Sequence, residues 1–298
     1  MNSTRDFSRK YNLSVNKHKI IGNRKILYTN KGIYSLKKKK RKDLNKIFDY
    51  LKAKQFNNIL ENKSDELDSY EVTDYIEEIN FPIEEKAQEA IYLLSILHNK
   101  TTFYKNISLD EVKCFYEEHI EKINGVRNHI DNLCHLYDED LFLSPSRYLF
   151  LRNITLLYNS LDYSKKYIEK WYEIVKDKKN RRIVMNHNNL ELSHLLIGKQ
   201  PYLINWEKST LDSPVIDLCT FFKKNYLNIN ISTLFDIYIS KYQLTQDEYY
   251  HLFSILLLPD KIEINNIEIE NTRIIYNHYK YISNMLEFVS NYNLKCNK

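Results

Sequence analysis

The chain has 298 residues, 43% hydrophobic and 28% charged, enough length and apolar content for one large domain or a two-lobed unit with its own core. The formal net charge of +5 is small for this size, and basic residues are interspersed with acidic ones along most of the chain, which argues against dedicated nucleic-acid binding. Cys114, Cys134, Cys219 and Cys296 are far apart and lack metal-ligand spacing, so a reduced, intracellular protein is expected.

The first fifteen residues, MNSTRDFSRKYNLSV, contain no apolar signal core. Nowhere do ~18 uncharged apolar residues run together, so no membrane span and a cytoplasmic location are expected. Short runs of β-formers come next at Leu13–Val15, Lys19–Ile21, Ile26–Thr29 and Ile33–Leu36, punctuated by Gly22-Asn23 and Asn30-Lys31-Gly32. These turn signals predict a small antiparallel sheet. The last strand ends at Lys37, the first of six consecutive cations through Lys42. Such a run reads as an exposed strand-to-helix connection, with contact to phosphates or anionic lipid as the other use. A helix over Asp43–Phe56 carries Asp43 and Asp49 but no Glu, and Glu61 lies beyond it. Tyr70–Ile76 reads as a further strand, and Phe81-Pro82 as a break before the next helix.

The remainder is predominantly helical. Ile83–Asn99 has acidic residues in its first turn and apolar ones at helical spacing. Ser108-Leu109-Asp110-Glu111 and Thr245-Gln246-Asp247-Glu248 have the form of capping boxes. Ser144 as N-cap and Pro145 at the first helical position open a helix running towards Asp177. Its aromatic residues, Tyr148, Phe150, Tyr158, Tyr163, Tyr167, Trp171 and Tyr172, are expected as core and boundary packing. Helices are also expected at Val215–Tyr226, Ser232–Tyr242, Thr245–Leu258 and Glu270–Tyr292.

The chemically informative stretch is Arg182–Phe222. It contains His187-Asn188-Asn189, four further residues and His194, then two apolar runs around the turn Gly198-Lys199-Gln200-Pro201. Ile204-Asn205-Trp206-Glu207 comes after them, and then Ser213-Pro214-Val215-Ile216-Asp217-Leu218. The order resembles the aminoglycoside phosphotransferase and choline-kinase-like families of the protein-kinase-like superfamily, and within them the bacterial spore-coat kinase-like branch. Those families show His-Gly-Asp, four residues and Asn, then Ile-Asp-Phe or Ile-Asp-Trp, then Pro-x-x-Asp-Leu. The ending Leu94-Ser95-Ile96-Leu97-His98 resembles their Leu-x-x-Leu-His helix end, with His98 in a packing role.

The resemblance implies an α+β, bilobal protein-kinase-like fold. It pairs a small antiparallel β-rich N-terminal lobe over residues 1–76 with a large, mostly α-helical C-terminal lobe over 77–298. It also implies ATP or ADP as the ligand of the cleft, with Lys37 as the phosphate-binding lysine and Asp49, or failing it Glu61, as that lysine's partner. Asn189 then stands where the catalytic Asp would be, while His194 and Asn205 stand at the two magnesium-binding positions. His187 is the structural histidine of the catalytic loop, and Asp217 is the carboxylate that braces it. An amide takes no proton at neutral pH and is a poorer magnesium ligand than a carboxylate. Losing an anion from the cleft costs metal binding on the scale of one charge pair at ~4 Å, about 4 kcal/mol at an effective dielectric of about 20. Magnesium is therefore not expected.

Three readings are open. The first is a pseudokinase, a binding or scaffolding module for a protein or small-molecule partner, whose cleft holds a nucleotide without metal, another small ligand, or its own side chains. The second is a small-molecule phosphotransferase in which Glu207, two residues after Asn205 and so on the same side of a strand, replaces the lost Asp. The third is an unrelated helical interaction protein, indicated if residues 11–76 form no sheet.

Overall fold

The structure is a computed structural model that describes residues 3–65, 68–139 and 141–296. In chain order it begins with α1 (Ser3–Tyr11), β1 (Val15–Ile21), β2 (Arg24–Thr29), β3 (Gly32–Lys38), α2 (Leu44–Ala53), β4 (Tyr70–Asp74) and α3 (Ile83–Thr101). Next come β5 (Phe103–Asn106), α4 (Leu109–Asp138), α5 (Pro145–Arg152), α6 (Ile154–Val175) and β6 (Asn180–Asn186). The hairpin β7 (Leu195–Ile197) and β8 (Pro201–Leu203) leads to β9 (Thr210–Asp212), and the chain ends with α7 (Val215–Asn225), α8 (Ile231–Lys241), α9 (Gln246–Leu256) and α10 (Glu268–Cys296). This is an α+β chain with an antiparallel sheet near its N-terminus and a mostly helical C-terminal part.

The residues gather into two compact units, Met1–Thr101 with His187–Thr210, and Thr102–Asn186 with Leu211–Lys298. Residue 76, the expected boundary, lies between β4 and α3. The packing groups α3 and the 187–210 segment with the sheet.

In the first unit the sheet order is β1-β2-β3-β4, all antiparallel. Two-residue turns set its register. Gly22-Asn23 joins the paired Ile21 and Arg24, with Gly22 at φ 57°, and Asn30-Lys31 joins the paired Thr29 and Gly32. The two expected runs on either side of Asn16 merge differently: β1 is a single strand with a bulge between Val15 and Lys17, and Leu13 lies outside it. Strand alternation sends Leu27, Leu36 and Val72 to one face, where they bury Phe7 of α1 and Leu13. Helix α1, which no expectation included, is held there by Phe7 and Tyr11, four residues apart with ring centroids 4.9 Å apart. In α2 the buried Leu44, Ile47, Phe48 and Leu51 match the helical period.

The β7–β8 hairpin is stitched to the same unit by Leu203 N–H donating to the Asn58 carbonyl at 2.8 Å and Ile79 N–H donating to Ile197 at 3.1 Å. At its turn only glycine fits, because a Cβ on Gly198 would lie 2.7 Å from Ile76 Cγ2.

The second unit is mostly helical. Ser108 caps α4 in a full capping box with Glu111. In α9 the Thr245 N–H donates to Glu248 Oε2 at 2.9 Å. Two expectations need correction. The helix opened by Pro145 is interrupted at Asn153 (φ −112°, ψ 10°), whose side-chain amide donates to the Leu149 carbonyl. Ser144 makes no cap bond, and Glu268 takes that role by accepting from Ser146 N–H at 2.7 Å and Ser146 Oγ at 3.0 Å. The aromatic stripe also divides. Phe150, Tyr167 and Trp171 are buried, while Tyr148 and Tyr163 are exposed; in α5 Tyr148 and Phe150, two residues apart, lie on opposite sides of the helix. The core gathers Phe222, Phe235, Phe253, Phe288 and Tyr292 in edge-on contacts. Cys219 is buried, Cys114 and Cys134 are free thiols, and the side chain of Cys296 lies outside the described residues. No described helix is long and apolar enough to cross a membrane.

Candidate functional site

The polar face of the sheet is set by register. Lys37 in β3 lies opposite Arg24 of β2 and Glu71 of β4, which puts three charged side chains in one row on the face away from the Phe7 core. The next row on that face holds Ile26, Ser35 and Thr73, all buried. Lys37 itself is only 5% exposed. The head of the basic run is thus a buried strand residue and not part of an exposed connection.

The groups that neutralise it come from the segment after β8. There Asn205 adopts the left-handed conformation (φ 69°, ψ 50°), which its short polar side chain tolerates better than most, and the chain enters a single 3-10 turn over Trp206–Lys208. The turn is locked by the Trp206 indole N–H donating to the Leu203 carbonyl at 2.9 Å and by Ser209 Oγ donating to Trp206 at 2.8 Å. The Trp206 ring meets Phe56 and His187 edge-on. Asn205 Oδ1 accepts from Arg24 Nη2 and from Lys37 Nζ, each at 2.7 Å. Both partners are pure donors, so the amide oxygen must face them. Glu207 Oε1 pairs with Lys37 Nζ at 2.5 Å, and Glu207 Oε2 lies 3.7 Å from the exposed Lys40. Arg41 Nη1 donates to the Ser209 carbonyl at 2.5 Å. Three members of the basic run therefore grip the segment 205–209.

Burial pushes the Glu71 carboxyl pKa up, while Lys37 and Arg24 pull it back. Burial likewise pulls Arg24 down, opposed by Glu71 and Glu207. The row is a compensated ionic cluster enclosed by the sheet face and the 3-10 turn.

His187 is fully buried, and its Nε2–H donates to the Ile204 carbonyl at 2.9 Å. Asn188 is left-handed (φ 55°), with its side-chain amide donating to Thr210 Oγ1 at 2.6 Å. The half-buried Asn189 offers its carbonyl to His194 Nδ1–H at 2.5 Å. Asp217 is fully buried in the first turn of α7, within the other unit.

Lys37, Asn205 and Glu207 are thus brought together, and Asp49 is not. Asp49 is exposed on α2, because the buried stripe of that helix uses the positions on either side of it. Glu61 pairs with Lys52 at 2.6 Å. Asn205 and Glu207 reach Lys37 from consecutive corners of a 3-10 turn, and not by the alternation of a strand. Arg24 and Glu71 are cluster members that the motif reading missed. The signal for Arg24 was the two-residue turn at Asn30-Lys31, which fixes its pairing with Lys37; Glu71 comes from β4, which follows α2, and no short turn fixes its register.

The magnesium implied by the resemblance does not fit these donors. The Asn205 oxygen at one implied ligand position already receives two cationic donors, and a divalent cation there meets Arg24 and Lys37 head-on. His194 at the other position presents an imidazole where magnesium, a hard cation, calls for an oxygen ligand. Among the described residues no group of three or more His, Cys, Asp or Glu side chains could hold a metal ion.

No protein-family profile matches the chain, and no curated protein matches it by sequence. Solved structures do. An aminoglycoside phosphotransferase from Alicyclobacillus acidocaldarius subsp. acidocaldarius DSM 446 is similar with TM-score 0.69 and 13% identity, over 95% of this chain and 93% of that one. The AMP-bound complex of spectinomycin phosphotransferase is similar with TM-score 0.57 and 13% identity, over 95% of this chain and 97% of that one. The choline kinase LicA from Streptococcus pneumoniae is similar with TM-score 0.49 and 12% identity, over 97% and 96%. At these identities the likeness shows the fold, and the expected α+β, protein-kinase-like fold is the one observed.

Proposed function

We propose that the chain is a catalytically degenerate phosphotransferase-fold protein, a pseudokinase that works as a binding or scaffolding module. The observation that carries this reading is the engagement of Lys37 by Glu207 and Asn205, which spends the phosphate-binding cation inside the protein. Asn189 at the base position and amide or imidazole at both metal positions support it. Any nucleotide held here is ATP or ADP without magnesium, and the partner is a protein or a small molecule. A bacterial, cytoplasmic protein of the spore-coat kinase-like branch completes the reading.

The alternative is an ATP-dependent small-molecule phosphotransferase whose metal carboxylate has moved to Glu207, favoured by the position of that carboxylate against Lys37. Glu207→Gln separates the two in an ATP turnover assay with the folded protein. A pseudokinase shows no turnover in either form, whereas turnover that is present in the parent and lost in the variant overturns the reading.

A further inference from the structure

A second feature of the first unit stands independently of the nucleotide reading. Strand β1 is the outermost of its sheet, and no strand among the described residues pairs with its outer side. The opposite edge is closed, because Lys63 N–H donates to the Val72 carbonyl of β4 at 2.7 Å and Val72 N–H donates to Asn62 Oδ1 at 3.0 Å. Every residue of β1 from Asn16 to Ile21 is exposed, with Ile20 at 69% and Ile21 at 46%. The strand has no proline or glycine to interrupt a ladder. Its hydrogen-bonding edge is therefore open over a length typical of a paired strand.

Charge narrows the range of partners for that edge. The β1–β2 hairpin and the turn after it, residues 15–31, contain Lys17, Lys19, Lys25 and Lys31, besides Arg24, which the buried cluster uses, and no Asp or Glu. On β1 itself Lys17 and Lys19 share one face, and His18 lies on the other. A second copy pairing through β1 sets these cations against one another, which is unfavourable for directly opposed residues. Edge lysines likewise turn away neutral, apolar strands. An acidic strand meets neither obstacle. A nucleic acid matches the charge but has no main-chain ladder to offer the open edge.

We propose that β1 is a docking edge for an acidic, extended polypeptide segment of a partner, added as a fifth strand with carboxylates two residues apart opposite Lys17 and Lys19. Main-chain hydrogen bonds supply affinity, the lysines select the sequence, and the exposed Ile20 and Ile21 accept apolar side chains at the hairpin end.

The test uses the full chain and a fluorescent peptide of about ten residues alternating Glu and Thr. Anisotropy should show saturable binding, and hydrogen exchange should slow at the β1 amides. A Glu–Pro peptide of equal charge cannot complete a ladder and should bind at least about tenfold more weakly. Lys17→Glu with Lys19→Glu should weaken the Glu–Thr peptide by a similar factor. Both positions are exposed, so the variant should melt with the parent protein. Absence of binding, unchanged β1 exchange, or equal binding of the Glu–Pro peptide or of an oligothymidylate would overturn the proposal.

Discussion

Lys37 is held by two neighbours of different kinds. Glu207 supplies a compensating charge, and Asn205 supplies a neutral oxygen that Lys37 shares with Arg24. Removing one partner of a buried pair leaves an uncompensated charge, which costs far more than the pair itself gains. Glu207→Gln should therefore destabilise the protein by about 3 kcal/mol, because Lys37 and Arg24 are then opposed only by Glu71. Lys37→Met combined with Glu207→Gln should cost less than the two single changes added together, with a coupling of ~1–3 kcal/mol in urea unfolding. Additive costs would mean that the pair is solvated and the cluster carries no compensation. The partner of Lys37 was not legible in the sequence, because Asn205 lies 168 residues away. The left-handed turn that aims both side chains is likewise invisible to a reading based on strand alternation.

At the scale of elements, short-range chemistry was readable and interruptions were not. The Ser108–Glu111 box and the two hairpin turns formed where their residues called for them, because each depends on neighbours within a few positions. The interruption at Asn153 has no proline or glycine to announce it, and α1 is held by tertiary contact with the sheet. Glu248 shows how one side chain ties elements together. It accepts from the N-terminus of α9 and also pairs with Arg182 of β6, whose Nε donates to Oε1 at 2.9 Å and whose guanidinium lies over the Tyr242 ring. The pair is nearly enclosed, with side-chain exposures of 16% for Arg182 and 6% for Glu248. Glu248→Gln should lower stability by about 3 kcal/mol, and a thermal or urea melt reads this directly. A loss below ~0.5 kcal/mol would place the pair with ordinary surface salt bridges.

At the scale of the whole molecule, the phosphotransferase-like order of motifs was legible from His187 to Leu218 because it is local in sequence. The grouping of that segment's first part with the N-terminal sheet was not, since it depends on packing between distant stretches. Global stability should depend on two histidines of the helical unit. Burial holds His119 down at about 4 and His251 at about 3. His251 is packed against Phe115 and Trp171, and His119 lies against Ser164. Both are neutral when folded, while the unfolded chain takes up protons below its ordinary value near 6.5. The unfolded state therefore binds more protons between about pH 6.5 and about pH 4, and stability falls as the pH drops through that window. At ~1.4 kcal/mol per unit of displacement, the two groups together cost several kcal/mol by the lower end. His251→Phe, which keeps the ring stacking without a titrating nitrogen, should flatten that acid limb in melts taken across the window. An unchanged limb would assign the acid loss to other groups.

The measurement that bears most directly on the pseudokinase reading is a thermal-shift titration with ATP and with ADP, each with magnesium and with magnesium replaced by EDTA. A ligand that binds only the folded state adds ~2.7 kcal/mol at a hundredfold excess over its Kd, so even modest affinity registers. With Lys37 already paired and Asn205 facing two cations, magnesium should make no difference to the melting temperature at any nucleotide concentration. A shift that appears with magnesium and disappears with EDTA would contradict that reading.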